Sequence, residues 1–120
     1  MTIGEVAERT GLTVHTLRFY EREGLLAGPV PREHGRRVYS PAHVEWLEMC
    51  KALRSAGMPL PAIARFAAFV RRGDDTEAEQ LGMLYEHQDR LAVQLKELTE
   101  RMAQVGRKIS CYEASVAAGD

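Results

Sequence analysis

The last third of the chain carries apolar residues at alternating steps of three and four. The series is Leu81, Leu84, Leu91, Leu95, Leu98, Met102, Val105, Ile109, Tyr112 and Val116. Gln88 interrupts the register, which covers about five heptads. Such a stripe predicts a coiled-coil helix, in which the eight apolar residues from Leu84 to Tyr112 form a dimerisation seam.

A stripe this narrow and long needs a partner outside the rest of its own chain. The helix would measure roughly 55 Å at about 1.5 Å per residue, more than a preceding head of about 70 residues can cover. The simplest partner is a second copy, so the pattern predicts a homodimer. The alternative is a helix that folds back on its own domain, for which we would expect a broader stripe.

Glycines divide the preceding residues into shorter segments. A left-handed glycine ends a helix at little cost, and four glycines follow stretches of helical periodicity: Gly11, Gly24, Gly57 and Gly73. The matching starts are Thr2 with Glu5, Thr13, Ser40 with Pro41, Pro61, and Thr76 with Glu79. The pattern predicts four helices within a domain of residues 1–73 and a dimerisation helix over residues 74–118.

The second and third predicted helices are separated by a different pattern. The segment from Leu25 to Tyr39 contains two glycines and two prolines between short apolar positions. These turn residues predict a β-hairpin instead of a helix. The expected fold class is therefore mainly α, with one small hairpin.

The net charge of −1 hides an uneven distribution. Residues 1–73 hold 11 lysines and arginines against 7 acidic residues, whereas residues 74–120 hold 5 against 10. A basic head attracts phosphate groups, whereas an acidic tail repels them. A nucleic-acid contact is therefore expected in the head.

Composition excludes several other classes. No apolar run approaches the roughly 20 residues of a membrane span, and the N-terminus lacks the features of a signal peptide. Two distant cysteines, Cys50 and Cys111, are too few for a disulfide framework or a closed zinc site in one chain. We expect a cytoplasmic protein with no membrane partner, no metal and no other cofactor.

The first two predicted helices have the pattern of a helix-turn-helix, in which the second helix contacts DNA. Its outward positions are His15, Thr16, Arg18 and Arg22, with Phe19 and Tyr20 beside them. Arginine bonds guanine edges and phosphates, while threonine and tyrosine hydroxyls bond phosphates. The alternative is an ordinary helical pair with exposed basic residues.

The predicted hairpin concentrates further hydrogen-bond donors, as a DNA-binding wing would. They are Arg32, His34, Arg36, Arg37 and Tyr39. Arg36 and Arg37 placed on phosphates would supply affinity that is independent of base sequence and falls with salt. The alternative is a solvated turn.

Four stretches in this order resemble one family of proteins. They are TIGEVAERTGLTVHTLRFYEREGLL, GRRVYS, LRSAGMPLPAI and the long heptad helix. The chain is similar over nearly its whole length to the MerR family of transcription regulators. The resemblance implies a homodimer on duplex promoter DNA, with a winged helix-turn-helix head, a second wing from the third and fourth helices, and an antiparallel coiled coil.

The resemblance also implies roles for individual residues. Major-groove contacts are implied for His15, Thr16 and Arg18, and a DNA-backbone contact for Tyr20. First-wing contacts are implied for Arg36, Arg37 and Tyr39, and a backbone contact near the second wing for Arg54. Thr13, the cap of the second helix, completes the DNA-binding set.

The mechanism that the resemblance implies is a deformation of DNA. The dimer would occupy an overlong promoter spacer, then bend and untwist it so that RNA polymerase can use both promoter elements. Smooth bending of such a site costs on the order of 1–6 kcal/mol. Two linked heads that hold phosphates can supply this energy.

The positions of the cysteines indicate which class of signal the regulator would sense. Metal-sensing relatives carry a cysteine near the start of the long helix and a pair after it, and this sequence has neither. The words GMPLPAI and HQDRL…KISCYE resemble instead a metal-independent subfamily, some of whose members respond to aldehydes or other electrophiles through a helix cysteine. A small-molecule or thiol-reactive stress signal is therefore implied.

Two cysteines are candidate sensors, each with a structural alternative. Cys50 lies three residues from both Leu47 and Leu53, a spacing that also predicts a buried core residue. Cys111 flanks the seam, where we expect partial exposure. A cross-subunit link between the two is a further alternative.

Other classes of function remain as alternatives. A coiled-coil adaptor for other proteins would use the head only as a scaffold, and a MerR-type metal sensor would use a different signal. An enzyme is not expected, because no glycine-rich phosphate loop, carboxylate pair or supported cysteine–histidine arrangement occurs in the sequence.

Overall fold

The structure is a computed structural model that describes residues 1–119. Its elements are α1 (Ile3–Thr10), α2 (Val14–Arg22), β1 (Arg32–Glu33), β2 (Arg36–Arg37), α3 (Pro41–Ser55), α4 (Leu60–Arg72), a 3₁₀ helix (Asp74–Thr76) and α5 (Glu77–Gly119). The mainly α class and the order of the elements are confirmed. By its contacts the chain forms one compact unit over Met1–Leu84 and a second from Tyr85 onward.

The first two helices begin and end where their caps are predicted. Thr2 and Glu5 form a reciprocal capping box, with Thr2 Oγ1 accepting from the backbone N–H of Glu5 at 3.2 Å. Gly11 follows α1 with φ of 75°, a left-handed conformation that favours glycine. Thr13 Oγ1 accepts from the N–H of Thr16 at 3.0 Å and so starts α2.

The third helix also starts as predicted, whereas the fourth starts slightly earlier. Ser40 caps α3 and Pro41 is its first residue. Ser40 gains a reciprocal bond, because its N–H donates to Nδ1 of His43 at 2.9 Å. The N-cap of α4 is Pro59, so Pro61 is the second residue of this helix and does not open it.

The predicted capping box of Thr76 and Glu79 is wrong. The Thr76 hydroxyl donates to the carbonyls of Phe69 and Gly73, both of which lie before α5. Gln80 Nε2 then donates to Thr76 Oγ1 at 3.1 Å. Because these bonds turn Thr76 back toward α4, it ends a 3₁₀ helix and does not cap α5.

The same contacts place the limit of the head later than the predicted boundary at residue 73. Thr76 is buried, with 2% of its surface exposed, and Met83 is buried about two helical turns further along. The compact unit therefore extends to Leu84. Its last turns come from a helix that the sequence pattern assigned to the dimerisation segment.

The predicted hairpin occupies the second half of its segment. Arg32 pairs with Arg37 and Glu33 with Arg36. His34 and Gly35 between them have φ of 52° and 76°, as a tight two-residue hairpin turn requires. The first part of the segment is a loop, which leaves the hairpin as a short exposed wing.

The core of the head brings all four of its helices, α1 to α4, together. Fully or nearly fully buried members from these helices and the connecting loops are Val6, Leu17, Leu25, Leu47, Cys50, Met58 and Ile63. The Trp46 ring stacks on Phe66 at 5.7 Å between centroids with an interplanar angle of 9°. This packing fixes α2 and the wing on α3 and α4.

Candidate nucleic-acid interface

The second helix buries one face and presents the other to solvent. Leu17 and Tyr20 are buried, whereas His15 and Arg18 are exposed. The helix is short and is held by core contacts and by its cap. It therefore presents its outer side chains from a fixed backbone, as a DNA-recognition helix must.

The two threonines at the start of α2 are engaged with each other. Thr13 Oγ1 donates to Thr16 Oγ1 at 2.9 Å and accepts from the Thr16 N–H. Both hydroxyls therefore serve the helix cap in the free chain. Their contact with DNA stays a prediction, and it would extend an existing hydrogen-bond pair.

Both tyrosines of the predicted set lie in the core. Tyr20 is 5% exposed and Tyr39 is 2% exposed, so the placement of Tyr20 beside the outward residues of α2 is wrong. The hydroxyl of Tyr39 is buried and has no hydrogen-bond partner within residues 1–119. Burial raises the pKa of each phenol, which keeps both neutral. Their roles as phosphate contacts stay predictions.

The two wing arginines have different environments. Arg36 is exposed, whereas Arg37 is half-buried with its Nε 2.5 Å from Oε2 of Glu21. The side chains of this pair are 32% and 28% exposed. Glu21 had no role in the sequence prediction, and its position three residues after Arg18 is the one signal that could have placed it beside the wing.

The wing and the recognition helix enclose a basic cavity. It has a volume of about 310 Å³ and is lined by Thr2, Ile3, Arg18, Gly35, Arg36 and Arg37. Three arginines predicted from separate sequence patterns therefore converge on one space. Such a cluster can bind phosphate groups through charge-assisted hydrogen bonds.

Arg54 is exposed near the end of α3 and lies close to the recognition helix. Its charge lowers the pKa of Tyr20, against the stronger opposing effect of burial. Arg71 of α4 is a basic residue that the sequence patterns did not single out. It donates hydrogen bonds to the carbonyls of Gly24 and Leu26. It ties the end of α4 to the segment between α2 and the wing.

The two candidate sensor cysteines differ sharply in accessibility. Cys50 is fully buried in the core, and burial raises the pKa of its thiol to about 11. Cys111 is exposed on α5, and both thiols are free. The structural alternative for Cys50 is therefore supported, because a neutral buried thiol is a poor nucleophile.

Residues 1–119 contain neither a metal-binding cluster nor a membrane-spanning helix. No group of three or more histidine, cysteine, aspartate or glutamate side chains is placed to hold a metal ion. No helix in this range combines the length and the apolar composition that a membrane span requires.

A helix-turn-helix, a basic hairpin wing and a long helix after them define a winged helix-turn-helix protein. Residues 1–69 match the MerR HTH family of regulatory proteins. The chain therefore belongs to the MerR family of transcription regulators.

Relatives cover the chain beyond the head. An HTH-type transcriptional regulator of Haemophilus influenzae is 33% identical over 118 residues, which are 98% of this chain and 87% of that protein. The regulator AdhR of Bacillus subtilis is 34% identical over 91 residues, 76% of this chain and 65% of AdhR.

Solved structures agree with this assignment. HiNmlR, described as a MerR family regulator lacking the sensor domain and crystallised with promoter DNA, superposes with a TM-score of 0.87. It is 33% identical, and the match covers 99% of this chain and 94% of that one. A MerR family transcriptional regulator of Bacillus thuringiensis gives a TM-score of 0.79 at 26% identity, over 92% of this chain and 96% of the other.

Proposed function

We propose that this regulator binds promoter DNA as a homodimer, with α2 in the major groove and the wing on adjacent phosphates. The observation that carries the proposal is the convergence of Arg18, Arg36 and Arg37 on one cavity. The HiNmlR complex supports it, since that relative was crystallised on promoter DNA. His15 and Arg18 are the exposed side chains of α2 that would contact bases.

The homodimer would form through the apolar stripe of α5. Leu84 is half-buried, whereas the residues of the stripe from Leu91 to Val116 are exposed in the single chain, from 38% at Leu91 to 70% at Met102. A continuous stripe of this length on one helix is unstable in water unless a second helix covers it. An antiparallel coiled coil would join the two copies and set the separation of their heads.

The output would be a change in promoter geometry. The activated dimer would bend and untwist an overlong spacer, at a cost on the order of 1–6 kcal/mol that the phosphate contacts offset. RNA polymerase would then engage both promoter elements. The protein would act in the cytoplasm.

The signal would be a small molecule or a thiol-reactive compound. Cys111 is the accessible thiol for such a reaction, whereas Cys50 would react only after the core opens. Intact mass after diamide or formaldehyde treatment, together with nonreducing gels, would reveal adducts or a cross-subunit link. If a Cys50→Ala, Cys111→Ala double variant responds to the signal at its promoter as wild type does, both thiols are excluded as sensors.

DNA binding is tested with genomic fragments selected by the purified protein. Arg18→Ala and Arg36→Ala should each weaken binding to the best fragment by about tenfold or more. Arg107→Ala on α5 removes the same charge far along the acidic segment and should leave binding unchanged. If both head variants bind as wild type does, the proposed interface is wrong and the adaptor alternative gains support. A selected site with a spacer of ordinary length would contradict the untwisting mechanism.

A further inference from the structure

Glu21 is a carboxylate within the basic surface that is proposed to bind DNA. It follows Arg18 by three residues on α2, so the two side chains project toward the same side of the helix. A negative charge beside phosphate-binding arginines should weaken DNA binding through repulsion. Its presence there therefore calls for a physical explanation.

Glu21 pairs with the wing. Its Oε2 lies 2.5 Å from Nε of Arg37, so the pair ties β2 to the recognition helix. Both side chains are about two-thirds buried, which limits the screening of the pair by water. The pair therefore restricts the position of the Arg37 guanidinium more than a contact between two fully exposed side chains would.

Because the contact with Glu21 is at Nε, the two Nη nitrogens of Arg37 are available to bind another group. Arginine carries five N–H donors in a rigid planar fork, one on Nε and four on the two Nη nitrogens. The Glu21 carboxylate lies 2.5 Å from Nε as an ion pair outside hydrogen-bond geometry, and neither Nη of Arg37 has a hydrogen-bond partner among residues 1–119. Arg37 can thus be held from one side and bind an anion from the other.

An anion-sized space lies beside this group. Arg37, Arg18 and Arg36 all line the cavity of about 310 Å³ that lies between the wing, α2 and the start of α1. The Tyr39 hydroxyl lies within the electrostatic reach of Glu21, Arg37 and Arg18, and burial raises its pKa, so it adds no charge. The three arginines therefore dominate the potential of the cavity.

We propose that Glu21 is a positioning residue that holds Arg37 by an ion pair at the Nε end of its guanidinium, so that both Nη nitrogens face a DNA backbone phosphate in this cavity. The inference rests on the proposed DNA-binding function and names the group of the DNA that the cavity takes. It assigns to a carboxylate a favourable role in binding a polyanion.

The test measures the affinity of the full-length protein for its best genomic fragment at several salt concentrations. Glu21→Gln should weaken binding by about fivefold or more, although it removes a negative charge. It should also lower the slope of log affinity against log salt by about 1.8 per dimer, as Arg37→Ala does, because two phosphate contacts are lost. Glu33→Gln on β1 removes the same charge from the wing and should bind as tightly as wild type or more tightly.

A double-variant cycle isolates the pair. In an Arg37→Ala background, Glu21→Gln should cause no further loss, because no guanidinium is left to position. Binding of Glu21→Gln as tight as wild type, or an equal loss in both backgrounds, would overturn the proposal. Arg37→Lys keeps the charge but has no Nε, and it should bind as weakly as Arg37→Ala.

The variants distinguish failure of the positioning role of Glu21 from failure of the DNA-binding interface. Thermal unfolding shows whether Glu21→Gln is folded, and if it is not, wild-type affinity of Arg37→Lys overturns the inference. If Arg18→Ala and Arg36→Ala both bind normally, the proposed DNA interface fails. If Arg18→Ala weakens binding and Glu21→Gln does not, only the positioning role of Glu21 fails.

Discussion

The indole Nε1 of Trp46 donates a 2.7 Å hydrogen bond to the carbonyl oxygen of Leu25. The same ring stacks on Phe66 of α4. One side chain of α3 therefore contacts α4 and also fixes the first residue after the turn that ends α2. Because the wing follows this segment, the bond helps to set where the hairpin leaves the head.

Replacing Trp46 with Phe keeps an aromatic ring against Phe66 and removes the N–H donor. The carbonyl of the buried residue Leu25 then loses its hydrogen-bond partner, so we expect the free energy of unfolding to fall by about 1 kcal/mol or more. Urea unfolding followed by far-ultraviolet circular dichroism measures this change. Tyr85→Phe is the control, since Tyr85 is 58% exposed, and an equal effect of both variants would show that the bond contributes nothing.

Glycine substitutions should have opposite effects at two positions. Gly11 has φ of 75° at the end of α1, so Gly11→Ala should lower the free energy of unfolding by about 1 kcal/mol. Gly82 lies within α5, and an added Cβ there meets no atom within 4 Å. Gly82→Ala should therefore raise stability, by up to about 1 kcal/mol. Thermal unfolding of both variants in parallel is the measurement, and a stabilising Gly11→Ala would contradict the assigned turn.

Substitutions at two apolar residues of nearly equal exposure test the proposed dimer. Leu98 in the heptad stripe is 55% exposed and Val93 on the other side of α5 is 56% exposed. Leu98→Asp should give monomers in sedimentation experiments, because the charge would be buried against the partner helix. Val93→Asp should remain dimeric. Loss of the dimer in both variants would show that the heptad register does not define the interface.

The two cysteines should react at very different rates with an aromatic disulfide reagent at neutral pH. Cys111 is exposed and should react at once. Cys50 is buried with its pKa raised to about 11, so it should react only when the head unfolds. Rates in Cys50→Ala and Cys111→Ala variants assign the two phases. If Cys50 reacts quickly in the folded protein, its thiol is accessible and it again becomes a possible sensor.

Alkaline pH should destabilise the head through Cys50. Its pKa rises from 9.0 to about 11 on folding because burial disfavours the thiolate. A group whose pKa is raised on folding contributes stability that is intact below the unfolded pKa. This contribution, about 3 kcal/mol, is therefore lost between about pH 9 and pH 11. Cys50→Ala should be less stable at pH 7 but lose less stability over that range, and identical pH profiles would contradict the assignment.

Local chemistry in the sequence determined most of the helical boundaries. The Thr2–Glu5 box, the Thr13 cap and the left-handed Gly11 each involve residues within a few positions of one another. Their geometry depends on the backbone of one turn, so sequence spacing was enough to predict them. The heptad stripe was predictable for the same reason, because a helix fixes which residues share a face.

Long-range packing decided what sequence spacing could not. The Thr76 hydroxyl bonds backward to Phe69, which overrides its local cap pattern, and Tyr20 turns inward where outward placement was expected. The partner of Arg37 is Glu21, and residues 16 positions apart meet only after α2 and the wing pack on one core. The sequence by itself determined the elements, the charge of the head and the apolar face of α5. The tertiary structure decided which arginines share a cavity and which thiol is accessible, because burial and contacts between distant residues depend on the packing of the whole head.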